Sequence, residues 1–283
     1  MSSFPIFLYH ALYPDFDLKK DRDVFWARDP QLRDPGARRY SLAQDAFLRQ
    51  MTFLAETPRS VVTDWDQFCR EGPAERFALT FDDGHVSNFT IALPVLEQFG
   101  FRGVFFITTD WIDRPGFLSQ SQIRQLAEAG MLIGSHGLTH TFFSKLSDRQ
   151  LKVELSRSRE CLEAIVQRPV SGVSLPGGRS HERIRDLARA AGYRFCFTST
   201  CALASQASDP MDLPRIPVTR DLGEPVFRDL ARARPTTVAA LARRARRREL
   251  LRRLMGDRPY RIVRSAVLRI QACVSRICSG TRP

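Results

Sequence analysis

Two groups of side chains in this sequence have the makeup of a hydrolytic metal site. The first is Asp82-Asp83-Gly84, adjacent carboxylates that end an apolar run from Arg76 to Phe81. Successive side chains of a strand point to opposite faces, so a turn starting here can aim one carboxylate at a metal and the other at a proton. Asp and Gly are also common turn residues, and alone the pair reads as readily as a solvated strand-end turn. The second group is His136-Gly137-Leu138-Thr139-His140. Histidines four apart meet on one side of a helical turn and can hold one ion together. No Glu follows the first His, which leaves the HExxH metalloprotease reading unsupported. Two His and one Asp make a three-ligand set suited to a catalytic Zn²⁺, with a position left for water or substrate.

Something must bring these residues together. Short apolar, β-branched or aromatic runs at 5–10, 60–63, 76–81, 103–108, 131–135, 172–175, 194–198 and 213–218 read as strands covered on both faces. Helix-period stretches separate them. Ser41 with Gln44 and Ser147 with Gln150 match capping boxes, and Ser180 precedes a further helix. Asn88 is placed to cap a helix over 89–99, and Gly100, Gly130 and Gly192 are stop signals. About eight strand–helix units imply parallel strands joined by right-handed crossovers. With no GxGxxG after the first strand, an α/β barrel is favoured over an open doubly wound sheet. All five histidines, His10, His85, His136, His140 and His181, fall within a few residues after an expected strand. Barrel enzymes place their reactive groups at those strand ends. The stretch 11–40 reads as an irregular loop over one barrel end.

At this point the sequence resembles the polysaccharide deacetylases, the NodB-homology enzymes of carbohydrate esterase family 4. Thr80-Phe81-Asp82-Asp83-Gly84 looks like their TFDDG motif, and His136 through His140 looks like their H-[ST]-x-x-H motif with Gly at its second place. The order and the separation of about 50 residues also match, over roughly residues 5–218. The resemblance implies a distorted (β/α)7–8 barrel of the NodB type. It also implies that Asp83, His136 and His140 hold the metal, Zn²⁺ or another divalent transition ion. Asp82 would be the base that takes a proton from a metal-activated water, and the substrate an N-acetylated sugar.

The sequence departs from the commoner family pattern in two places. No His follows residue 205, although a late His usually supplies the acid; the chain opens instead with Leu8-Tyr9-His10, similar to deacetylases of permuted motif order. First and last strands of a closed barrel are neighbours, so His10 is assigned as general acid. The family's arginine-bearing third motif is degraded to Ser174-Leu175-Pro176-Gly177-Gly178. That turn, set by Pro176, can still offer the Gly177 N–H to an oxyanion. Arg215, a charge in an otherwise apolar strand, is the candidate to replace the missing guanidinium and orient Asp82. His85 and His181 receive no role. Trp111 is either core or a sugar platform.

Composition divides the chain. Of its 283 residues 43% are apolar, and the net charge is +12. Residues 228–283 hold 16 Arg and three acids, a balance of +13, which leaves −1 for residues 1–227. Those bounds give a barrel domain, 1–227, and an Arg-rich amphipathic helical tail, 228–283. Over 260–278, Val263, Val267, Ile270, Val274 and Ile277 fall on one helical face and Arg261, Arg264, Arg269 and Arg276 on the other. Such a helix suits an anionic membrane surface; scarce aromatics disfavour nucleic acid. No run is long enough to span a bilayer. The opening MSSFPIFLYHALYP reads as strand rather than a signal peptide, so a cytoplasmic enzyme at the inner membrane face, acting on a polysaccharide or lipid-linked glycan, is expected. The six Cys form no CxxC pair and read as thiols. Two rivals remain: an amidohydrolase for another acyl group such as N-formyl, and a glycan-binding barrel that has lost catalysis.

Overall fold

The structure, a computed structural model, describes residues 3–14, 38–68 and 75–255. Seven parallel strands form its centre: β1 (Ile6–Tyr9), β2 (Arg76–Phe81), β3 (Val104–Ile107), β4 (Leu132–Ser135), β5 (Gly172–Ser174), β6 (Phe195–Phe197) and β7 (Ile216–Pro217). They are ordered β6-β5-β4-β3-β2-β1-β7, and Ser60–Val61 adds a short parallel pair to the start of β2. The curled sheet closes through its last segment. Leu213 bridges Phe197 of β6, and three residues later Ile216 pairs with Phe7 of β1. The strand expected over 213–218 therefore exists as two short contacts, one to each edge.

Alternation along the strands builds the interior. Ile6, Ala78, Val104, Phe106, Phe195, Phe197 and Leu213 pack into one buried cluster, with Trp65 against it. Farther along the strands, in the same phase, come Thr80, Asp82, Thr108, Ser174 and Arg215. An apolar plug thus lies beneath a polar layer at the carboxyl ends of the strands, as in other α/β barrels. Opposite-phase residues face the helices. The Tyr9 and Phe81 rings stack at 5.4 Å, Phe81 on Phe105 at 4.7 Å, and Phe47 packs edge-on to both Tyr9 and Phe81.

The helices of the wall are α1 (Gln44–Ala55), α2 (Leu93–Gln98), α3 (Gln120–Glu128), α4 (Asp148–Val166), α5 (Glu182–Ala190) and α6 (Glu224–Ala231). Ser147 and Gln150 form the capping box that opens α4, and Ser119 and Gln122 form another on α3. Gly100, Gly130 and Gly192 follow helix ends with positive φ. Three expected caps are not made. The Ser41 hydroxyl donates to the Arg38 carbonyl while Leu42–Ala43 pairs with Leu12–Tyr13, so α1 starts later, from Ala43. Asn88 opens a π-helical turn, Asn88–Ala92, and its amide donates to the His10 carbonyl, tying β1 to β2 instead of capping. His181 rather than Ser180 is the N-cap of α5.

The chain forms two compact units, Met1–Val238 and Ala239–Pro283. The first contains α6, whose buried Phe227 stacks on Phe7 at 5.0 Å. Helix α7 (Pro235–Met255) runs on into the second. Arg243, Arg244, Arg246 and Arg247 are exposed and, at 100° per residue, fall within an arc of about 160°, and α7 has no apolar stripe. The segment 260–278 and residues 15–37 of the rim loop lie outside the described residues. No helix among the described residues is long and apolar enough to cross a membrane.

Candidate active site

Asp82 is the first residue beyond β2, its N–H donated to the Tyr9 carbonyl of β1. Its side chain keeps the inward phase and meets Arg215 in a bidentate pair, Nη1 to Oδ1 at 2.7 Å and Nη2 to Oδ2 at 2.8 Å. Arg215 is fully buried. Its Nε donates to the Thr198 carbonyl, Nη1 to the Thr80 hydroxyl and Nη2 to the Ser174 hydroxyl, which in turn donates to Asp82 at 2.9 Å. The Phe106 and Phe197 rings lie beneath the guanidinium at 5.5 and 5.9 Å. Burial pushes the Asp82 carboxyl up, but Arg215 and His136 together hold it below the usual carboxylate range. It is a fixed, ionised acceptor.

Asp83 turns away. Its φ of 78°, followed by 79° at Gly84, breaks the strand and points its carboxylate at the two histidines. Its Oδ1 lies 3.4 Å from His136 Nε2 and 3.2 Å from His140 Nε2. One ligand atom from each of the three residues falls within 4.8 Å of the others. Burial raises the Asp83 pKa, yet contacts with the two rings hold it well below normal. His136 extends β4, and its Nδ1 donates to the Ser174 carbonyl at 2.9 Å. That bond turns Nε2 toward Asp83.

The segment from His136 to His140 is a loop rather than the helical turn expected from the spacing. Gly137 (φ 81°) reverses the chain and His140 is itself left-handed (φ 63°), so two non-helical residues bring the rings to 5.0 Å. The Gly137 and Leu138 carbonyls accept from the Thr109 and Asp110 N–H groups. On the other side, Leu138 and Thr139 donate their N–H groups to Glu154 of α4. Behind the loop, Ser135 accepts from the Gly137 N–H and donates to Ser158, which also lies against the Tyr193 hydroxyl. Sequence reasoning missed this support. Its signal is on α4, where Glu154 and Ser158 share the buried stripe of Leu151, Leu155 and Leu162.

His10 follows β1 in the inward phase. Its Nδ1 is buried without a hydrogen-bond partner among the described residues, and its ring lies 4.9 Å from Tyr40. Burial lowers its pKa, against the pull of Asp83 and Asp82. Its neighbour Tyr9 faces the helices and donates to Gln50. Pro176–Gly178 forms a tight turn after β5; Gly177 is exposed with φ 73°, and a side chain there would press on the Phe142 ring. His85 accepts at Nδ1 from the Ser87 N–H and is buried. His181 is exposed. Trp111 packs on His140 and Phe117 at 4.8 and 4.7 Å and is half-buried.

A polysaccharide deacetylase family model matches residues 70–196, which span β2 to β6 and hold Asp82, Asp83, His136 and His140. The chain is 25% identical over 224 residues to the Bacillus subtilis (strain 168) protein YxkH, provisionally named a polysaccharide deacetylase, covering 79% of this chain and 74% of that one. It is 29% identical over 136 residues to a Bacillus cereus peptidoglycan-N-acetylglucosamine deacetylase, 48% of this chain and 59% of the relative. Among solved structures, the Streptococcus pyogenes deacetylase PplD in complex with acetate superimposes with a TM-score of 0.68 at 18% identity, over 82% of this chain and 98% of that one. IcaB from Ammonifex degensii does so with 0.65 at 20%, over 82% and 97%. Identities this low speak for the fold alone. Sequence and fold converge: residues 70–196 match the polysaccharide deacetylase family model, and the described residues fold as the (β/α) barrel of the similar deacetylase structures.

Proposed function

We propose that this protein is a metal-dependent carbohydrate N-deacetylase that hydrolyses the acetamide of an N-acetylated sugar. The observation that carries the reading is the division of labour between adjacent carboxylates, Asp82 on a buried guanidinium and Asp83 on two imidazoles. The Asp83, His136 and His140 donors fit a divalent transition ion such as Zn²⁺, because two imidazole nitrogens and one carboxylate oxygen converge while His136 Nδ1 is taken by the Ser174 carbonyl. When bound there, such an ion polarises an amide carbonyl and lowers the pKa of water.

The protein's own residues do the rest. Asp82, held ionised and in one orientation by Arg215 and Ser174, takes the proton of the attacking water. His10, across the β1–β2 seam, passes a proton to the departing amine nitrogen. The Gly177 N–H, exposed on the turn set by Pro176, donates to the oxyanion. One water is consumed, the C–N bond breaks, and acetate and a free amine leave. The reading of a barrel that lost catalysis rests on a missing third-motif arginine and a missing late His; Arg215, from the segment between β6 and β7, supplies a guanidinium, and His10 takes the place of the late His.

We further propose a lipid-linked or membrane-proximal glycan at the cytoplasmic face as substrate, and attachment through the tail. The charge of residues 228–283 supports this, with attraction on the order of 1 kcal/mol per basic residue near an anionic surface. Metal analysis of protein reconstituted with Zn²⁺ tests the core of the reading. About one equivalent, lost in Asp83→Ala, together with acetate rather than formate released from N-acetylated glycans, is the expected result. No metal in the reconstituted wild type contradicts the mechanism at its first step.

A further inference from the structure

We propose that Glu154 is a positioning residue for the ligand His140: its carboxylate holds the Gly137–Thr139 loop in the one shape that brings the His140 ring to Asp83. The proposal rests on the metal-site reading above and extends it to a helix outside both motifs.

Glu154 lies on the apolar face of α4 and is only 5% exposed. A buried carboxylate must be paired or saturated with donors. Among the described residues its donors all come from the loop. Oε2 accepts the Leu138 N–H at 2.7 Å and the Thr139 N–H at 3.0 Å, and Oε1 accepts the Thr139 hydroxyl at 2.5 Å. Hydrogen bonds to an ionised acceptor are the strong ones. The next residue is His140, left-handed at φ 63°, a conformation that a non-glycine residue keeps only when its surroundings impose it. The opposite side of the loop is held by backbone donors from Thr109 and Asp110, which no side-chain replacement removes. Gly137 fits the same picture, since a Cβ there would stand 3.1 Å from Glu154 Oε2. The φ of 81° and the Phe143 ring, 3.0 Å from the same Cβ, favour glycine there as well.

The test is a double-mutant cycle on the full-length protein, stripped of metal and titrated with Co²⁺, whose visible spectrum reports affinity and ligand geometry. Glu154→Leu is expected to weaken Co²⁺ binding roughly 10- to 100-fold, the usual scale for residues that orient a ligand. Glu154→Gln keeps an oxygen for the two N–H groups and stays within about fivefold of wild type. In a His140→Ala background, Glu154→Leu costs less than about threefold, because the group it acts through is gone. Equal losses in both backgrounds, or no loss in either, overturn the proposal. Should Glu154→Leu fail to fold, Glu154→Asp, whose carboxylate stops one methylene short, carries the same cycle: a loss that depends on His140 supports the role, and equal losses or none overturn it. Wild type that takes up no Co²⁺ overturns the metal reading and this proposal with it.

Discussion

Arg215 and Asp82 are a buried charge pair in which each partner depends on the other. The guanidinium makes five hydrogen bonds and carries no solvent exposure, so the carboxylate is oriented by a fork and not by a point charge. Arg215→Lys is expected to cut kcat by at least about tenfold with KM little changed, since what is lost is the orientation of a proton acceptor. Steady-state kinetics decide it, and unchanged turnover contradicts the role. Arg215→Met, which strands Asp82 as a buried charge, is expected to lower stability by about 3–5 kcal/mol in chemical denaturation. His136 sets a pH dependence. Burial lowers its pKa, but Asp82 and Asp83 more than compensate, so in the metal-free protein it keeps a proton above the usual imidazole value. Metal needs the neutral ring, and loading should therefore weaken as pH falls through that raised value and release protons as it proceeds. Calorimetry in buffers of different ionisation enthalpy measures the release; a release of zero at pH near 7 contradicts it.

At the scale of elements, close packing between neighbouring strands leaves Gly134 no room for a side chain. A Cβ there would lie 2.4 Å from the Phe106 ring, itself wedged against Trp65 and Phe197. Gly134→Ala is expected to cost about 1–3 kcal/mol, read as a drop in Tm, because the ring cannot yield. Strands were legible in the sequence because burial on both faces makes them continuous apolar runs, and so was the carboxylate pair at the end of β2. What sequence could not show was how His136 and His140 meet. Their spacing suits a helical turn, but a left-handed loop does the work, and its hold on Glu154 is a contact between elements. The caps at Ser41 and Asn88 failed for a similar reason, since strand pairing and the His10 carbonyl took the groups that local chemistry had assigned to helix starts. Arg215 was visible as a misplaced charge; that Ser174 would serve it, Asp82 and, through its carbonyl, His136 was not.

For the whole molecule, the charge is segregated while the compact units divide after Val238. Because α6 belongs to the first unit, a fragment ending at Val238 is expected to keep the barrel and its activity on soluble glycans. Full-length protein is expected to sediment with anionic vesicles at low salt, and the fragment is expected not to. Equal partitioning of the two contradicts attachment through the tail. The closing segment has a consequence in time. Asp82 follows and Ser174 ends strands that can pair with their neighbours early, but Arg215 arrives 133 residues after Asp82, between the two contacts that seal the ring. Long-range pairings of this kind form slowly. During refolding, a chain with every other strand in place still has an unaimed base, so catalytic competence should return with the slowest phase while far-UV signal recovers ahead of it. Turnover then works as a completion signal for folding: the last stretch of barrel to be synthesised is also the one that arms the first pair of carboxylates.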